Sequence, residues 1–211
     1  SAIASIACIS SCSSVMWCRD TGPRVIVSWL RNNTVVFNGY YRIMNIKDGW
    51  KPSTYASHKG NIGVEKSKER VVMDELYITA FPNDKNNEYW NPLVQAGREV
   101  ITKYRENTTY GKWFQPDRTC SFRINRYDVG GFMSEHVDNI HHSHKQEYGF
   151  PQGSLLYFLN DDYEGGEIVI ADTIYKPKKN SAILFPSCFM FPHYVNKVEK
   201  GVRYSTITWL M

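Results

Sequence analysis

With 211 residues, 42% hydrophobic, 14% aromatic and 22% charged, the chain can bury one substantial core and is not composed like a disordered protein. Its net charge of +4 comes from lysines and arginines scattered along the chain, with no run that would track a phosphate backbone, so nucleic acid is not indicated. No stretch approaches the ~20 apolar residues of a spanning helix, and no membrane partner is expected.

Ser1 to Ser14 is a mixture of Ala, Ser, Ile and Cys with no basic residue before Arg19, which is not the charge pattern that opens a secretory signal. Residues 1–35 are set apart as an atypical amino-terminal segment without assigned function, and 36–211 as one domain. The five cysteines (Cys8, Cys12, Cys18, Cys120 and Cys188) form no C-x-x-C pair and read as reduced thiols of a soluble, cytoplasmic protein. Cys188 reads as a buried, inert thiol. The glycosylation triplets at Asn32 and Asn107 carry little weight without a secretory signal.

Arg24–Leu30 and Thr34–Tyr41 are β-branched and aromatic enough for strands, with Asn32-Asn33 as the turn of an opening hairpin. Lys51–Glu65 is rich in Pro, Ser, Gly and Lys and predicts a surface loop; Arg70–Ala80 returns to a strand-like pattern. Leu93, Val94, Gly97, Val100, Ile101 and Tyr104 recur at three- and four-residue steps behind Pro92, which predicts a one-faced helix covering a sheet.

From Cys120 onward the pattern is short strands: Ser121–Tyr127, Ser154–Asn160, Glu167–Asp172, Ser181–Phe185, Tyr194–Val198 and Tyr204–Leu210. Their turns and long connections favour a mainly β, α+β fold with flanking helices around a jelly-roll core, the double-stranded β-helix.

His136-Val137-Asp138 places two metal-ligand side chains at i and i+2, which in an extended chain point to one face. A third ligand is found in His193, within the apolar run Phe189–Val195. Two imidazoles and one carboxylate hold one face of an octahedral ion and leave the other open, the arrangement of non-haem Fe(II) oxygenases. Arg203 follows ten residues after His193. With Glu199-Lys200-Gly201 as a turn, the two are expected on neighbouring antiparallel strands facing one cavity, where the guanidinium can clamp a carboxylate.

Over Ser121–Met211 these motifs resemble the prolyl 4-hydroxylase-like branch of the Fe(II)- and 2-oxoglutarate-dependent oxygenases. The resemblance runs through Arg126-Tyr127, Gly130 and His136-Val137-Asp138, through Leu156–Asn160 and Glu164–Glu167, and through Lys176–Pro186, with Asn180 where the family usually carries Gly. It implies iron on His136, Asp138 and His193, and the distal carboxylate of 2-oxoglutarate on Arg203 and Tyr127. Trp209, on the strand of Arg203, would wall the cosubstrate pocket, and Phe158 stands where some animal relatives have a tyrosine touching the cosubstrate. The implied cofactor set is Fe(II), 2-oxoglutarate and O2, with ascorbate as an optional reductant.

The implied activity is hydroxylation of a prolyl residue in a peptide or protein, with release of succinate and CO2; 36–211 would be the oxygenase domain. His141, His142 and His144 read as a solvated loop beside the active-site mouth. Two other readings compete with this one. Oxidative demethylation of nucleic acid bases resembles this chain at the iron ligands, but that branch has another arginine where this chain has Trp209. A non-catalytic jelly-roll module would be favoured by loss of a ligand, and all three ligands and Arg203 are present.

Overall fold

The structure, a computed structural model, describes residues 26–29, 42–53, 56–58, 64–66, 70–138 and 150–211. The expected strand Thr34–Tyr41, its Asn32-Asn33 turn, Cys8, Cys12, Cys18 and the loop carrying His141, His142 and His144 lie outside these residues.

The early strands are β1 (Ile26–Trp29), β2 (Lys51–Pro52), β3 (Ala56–His58), β4 (Val64–Lys66), β5 (Val71–Val72) and β6 (Asp74–Ile78), followed by helix α1 (Trp90–Asn107). Then come β7 (Phe122–Tyr127), β8 (Phe132–His136), β9 (Gly153–Phe158), β10 (Glu164–Gly165) and β11 (Ile168–Ile170). The last are β12 (Thr173–Tyr175), β13 (Ser181–Pro186), β14 (His193–Val195), β15 (Val198–Lys200) and β16 (Arg203–Leu210).

Seven strands form one sheet in the order β1-β13-β9-β16-β7-β6-β2, and five form a second in the order β12-β11-β14-β8-β5. From β7 to β16 the chain passes back and forth between the two sheets through antiparallel pairs, the winding of a jelly roll. The α+β fold expected from the sequence is the fold observed.

The alternation of side chains explains how the sheets stack. Leu155 and Tyr157 of β9 point to α1, while Leu156 and Phe158 point to the second sheet, so β9 is buried on both faces. The outer face, with Leu76, Ile78, Phe122 and Ile124, receives Leu93, Ala96, Val100 and Tyr104 of α1. Full burial of each such aliphatic side chain contributes about 1.5–3 kcal/mol. Tyr157 donates its hydroxyl to the Leu93 carbonyl at 2.9 Å, tying helix to sheet. Gly97 lies over that hydroxyl, where a Cβ would come within 3.0 Å of it.

Several expectations need correction. Lys51–Glu65 is not simply a loop: Lys51–Pro52 pairs with β6, and β3 and β4 form a small ladder. Ladder pairing there overrides the loop-like composition, since backbone groups find partners whatever the side chains. Arg70–Ala80 divides at Met73 into β5, which joins the five-stranded sheet, and β6, which joins the seven-stranded one. Tyr194–Val198 also divides. The Asn196 N–H goes to the Glu167 carbonyl and β15 pairs with β10, while buried Val195 and Val198 make the segment read as one apolar run. The helix begins at Trp90, two residues before Pro92, which lies in its first turn. Ile26–Trp29, within the segment set apart at 1–35, pairs with β13 at the edge of the large sheet.

Asn180 has φ +61°, the left-handed conformation that glycine adopts freely and asparagine tolerates, which accounts for Asn at a position where Gly is usual.

Candidate active site

The site lies between the two sheets. His136 ends β8, Asp138 follows two residues after it, and His193 opens β14, which pairs with β8 so that His136 and His193 stand directly opposite. The ring centroids are 4.2 Å apart. Asp138 Oδ1 is 3.5 Å from His136 Nε2, and Asp138 Oδ2 is 3.5 Å from His193 Nε2. All three side chains are nearly buried.

Both imidazoles are fixed in the tautomer a metal needs. His136 Nδ1 donates to the Ser134 carbonyl at 2.9 Å and His193 Nδ1 to the Phe191 carbonyl at 3.1 Å, which turns each Nε2 toward Asp138 and makes it the ligand atom once the ring is neutral. Burial pushes the His193 imidazole below its ordinary pKa, opposed by Asp138, so it favours the neutral ligand form. Burial alone would raise the Asp138 carboxyl, but His193, His136 and the Ser154 hydroxyl outweigh it and hold it well below the usual carboxylate range. Bonds of roughly 2.1 Å at right angles set donor atoms about 3 Å apart. The donor atoms, one from each residue, lie within 4.8 Å of one another and fit a single divalent ion once they draw together around it.

Arg203 opens β16 on the opposite sheet. Its side chain is among the largest that are fully buried, with 1% exposure. Nη1 donates to Ser205 Oγ at 2.9 Å, while Nε and Nη2 have no hydrogen-bond partner among the described residues. The guanidinium lies 4.9 Å from the Tyr127 ring and 5.4 Å from the Phe158 ring. A buried cation with free N–H groups and no carboxylate in ion-pair contact is suited to an incoming anion. That fits the distal carboxylate of 2-oxoglutarate. Phe158 gives its ring but no hydroxyl.

The expectation that His193 and Arg203 sit on neighbouring strands is overturned. β14 pairs with β11 and β8, whereas β16 pairs with β7 and β9, so the two residues face each other from different sheets. The physical reason is that the intervening residues leave the small sheet, pair with β10 as β15, and turn at Gly201 into the large sheet.

Tyr127 is directly paired with Arg203 and lies on the same face. Trp209 shares that face but stands at the metal end of it: it is paired with Ser154, whose hydroxyl donates to Asp138 Oδ2 at 2.6 Å. Ser154 is also within 2.8 Å of the Ser187 hydroxyl. Ser154, Ser187 and Ser205 were missed in the sequence, because a serine in a strand gives no sign of what it faces; only the register brings Ser154 to Asp138. Tyr163 was missed for the same reason. Its buried hydroxyl has no partner among the described residues, and burial raises its pKa while nearby Arg203 lowers it.

Residues 122–211 match the model of the 2OG-Fe(II) oxygenase superfamily. A PKHD-type hydroxylase of Pseudomonas putida is 31% identical over 180 residues, 79% of this chain and 72% of that protein. The chain belongs to the 2OG-Fe(II) oxygenase superfamily. A PKHD-type hydroxylase of Rippkaea orientalis is 35% identical over 133 residues, and the match covers 60% of this chain but only 57% of that protein. The fold is that of a Pseudomonas putida prolyl-4-hydroxylase, with a TM-score of 0.63 at 14% identity, covering 89% of this chain and 92% of that one. A Trichoplax adhaerens prolyl hydroxylase, solved with a hypoxia inducible factor peptide, gives the same TM-score at 15% identity, covering 89% of this chain and 83% of that one. Superfamily membership brings Fe(II), 2-oxoglutarate and O2 as the cofactor set. No described helix is long and apolar enough to cross a membrane.

Proposed function

We propose that this chain is an Fe(II)- and 2-oxoglutarate-dependent dioxygenase that hydroxylates a C–H bond of a peptide or protein, a prolyl residue foremost, with release of succinate and CO2. The observation that carries this reading is the pairing of two incomplete sites across one interior: a prearranged His136-Asp138-His193 set on one side and, on the other, the buried Arg203 guanidinium, whose Nε and Nη2 have no hydrogen-bond partner among the described residues.

In this reading His136, Asp138 and His193 hold the iron, and Arg203 and Tyr127 hold the distal carboxylate. Trp209 walls the pocket at its metal end. Iron and 2-oxoglutarate supply the oxidising power when bound, through O2-dependent decarboxylation. The protein's own part is to orient the ligands, as the Nδ1 bonds and Ser154 do, and to keep water out, as Leu156, Phe158 and Ile207 do from the interior face. The oxygenase unit runs over 36–211, with β1 adding an edge strand from the preceding segment.

Hydroxylation is supported by the names of the relatives, and a peptide as substrate by the peptide complex of the Trichoplax adhaerens protein. The test is turnover with Fe(II), 2-oxoglutarate, O2 and ascorbate over a panel of proline-containing peptides, following succinate and peptide mass together. Gain of one oxygen on proline supports the assignment. Oxygen entering another substrate while proline peptides stay unmodified removes the prolyl label.

A further inference from the structure

A second arginine faces the same interior, with opposite charge balance. Inward-facing residues of β7 alternate as Arg123, Asn125 and Tyr127, and Arg123 pairs with Ile207 while Tyr127 pairs with Arg203. Arg123 is thus four residues along from the Arg203 level, roughly 13 Å at the usual strand rise. This is the metal end: Arg123 lies 5.6 Å from the Trp209 ring, Trp209 is paired with Ser154, and Ser154 holds Asp138.

Arg203 has no acidic partner among the described residues and fits an anion. Arg123 already has one, with its Nη1 3.8 Å from Glu75 Oε2 and side-chain exposures of 12% and 8%. Among the described residues it has no acceptor for Nε–H, and neither has the neighbouring Trp209 Nε1–H. Two buried donors without acceptors are costly until something supplies oxygen atoms. Because Glu75 has neutralised the guanidinium, a second carboxylate there would be in surplus, whereas a neutral carbonyl would not.

Resting on the peptide-hydroxylase reading above, we propose that Arg123, stacked on Trp209 and neutralised by Glu75, anchors the substrate through a main-chain carbonyl oxygen beside the residue to be oxidised. It is a specificity residue for peptides over free amino acids: a blocked peptide offers neutral carbonyls at every position, and a free amino acid offers only a carboxylate.

The experiment is calorimetric titration of the anaerobic Fe(II)- and 2-oxoglutarate-loaded protein with an N-acetylated, C-amidated proline peptide, and separately with free L-proline. The Arg123→Lys variant keeps the charge opposite Glu75 but removes Nε–H and the planar stack. Its affinity for the blocked peptide is expected to fall about tenfold or more. Its 2-oxoglutarate midpoint, read from the visible charge-transfer band, is expected to stay at the unsubstituted value. Glu75→Gln, which leaves the guanidinium unbalanced, is expected to shift preference toward a peptide with a free terminal carboxylate. Unchanged peptide affinity in Arg123→Lys overturns the role of Arg123 and leaves the hydroxylase reading standing. Failure of the unsubstituted protein to bind the blocked peptide, with or without binding of L-proline, overturns the peptide reading and the carbonyl site together.

Discussion

Arg203 and Tyr127 stand opposite each other on the β16–β7 ladder, with the guanidinium 4.9 Å from the phenol ring and, among the described residues, no carboxylate in ion-pair contact. The ring face offers partial negative charge but cannot satisfy N–H groups. The residue proposed to bind the cosubstrate is thus also a burden on the fold. Arg203→Met is expected to raise the 2-oxoglutarate dissociation constant about a hundredfold or more, two lost charge-assisted bonds. The same variant is expected to leave cosubstrate-free stability unchanged or higher, by up to about 2 kcal/mol, in urea melts. Loss of both binding and stability would mark Arg203 as a structural residue.

Ser154 is expected to hold the metal site from behind. Ser154→Ala removes the hydroxyl that donates to Asp138 and should weaken Fe(II) or Mn(II) affinity by about tenfold or more, as loss of a ligand-supporting hydrogen bond does. Titration of metal into the variant checks this directly.

Gly165 has φ +72°, and a Cβ there would stand 2.3 Å from the Lys197 carbonyl oxygen. Gly165→Ala is expected to cost roughly 2 kcal/mol or more, seen as a lower urea midpoint with unchanged slope. The β10–β15 pair that turns the chain toward Arg203 is the element at stake.

Burial pushes the Tyr104 phenol up to about 12. Its folded pKa is raised above the unfolded value, so its share of stability is complete below pH 10 and is lost as pH rises through the folded value. Stability is expected to fall by roughly 2 kcal/mol between pH 10 and about 12 on this account, and Tyr104→Phe should flatten that part of the profile. Denaturant melts at several alkaline pH values measure the difference.

Much of this was legible in the sequence because it rests on local pattern. His136 and Asp138 are two residues apart, and α1 shows its apolar face at helical spacing. The helix face needed no tertiary knowledge, although Ala96, small and easily passed over, proved fully buried beside Leu93 and Val100. What was not legible depends on sheet assignment. Met73 and Asn196 look like continuations of strands, yet each is where the chain changes sheet, decided by partners distant in sequence. The same limit misplaced His193 and Arg203 as strand neighbours and hid Ser154, whose role exists only through its contact with Asp138.

The most direct test is anaerobic addition of Fe(II) and 2-oxoglutarate to the folded protein, with His136→Ala and Arg203→Ala beside it. The expected result is a visible metal-to-ligand charge-transfer band in the unsubstituted protein, absent from both variants at the same concentrations. Absence of the band from folded, unsubstituted protein would contradict the account and leave a jelly roll that binds without catalysing.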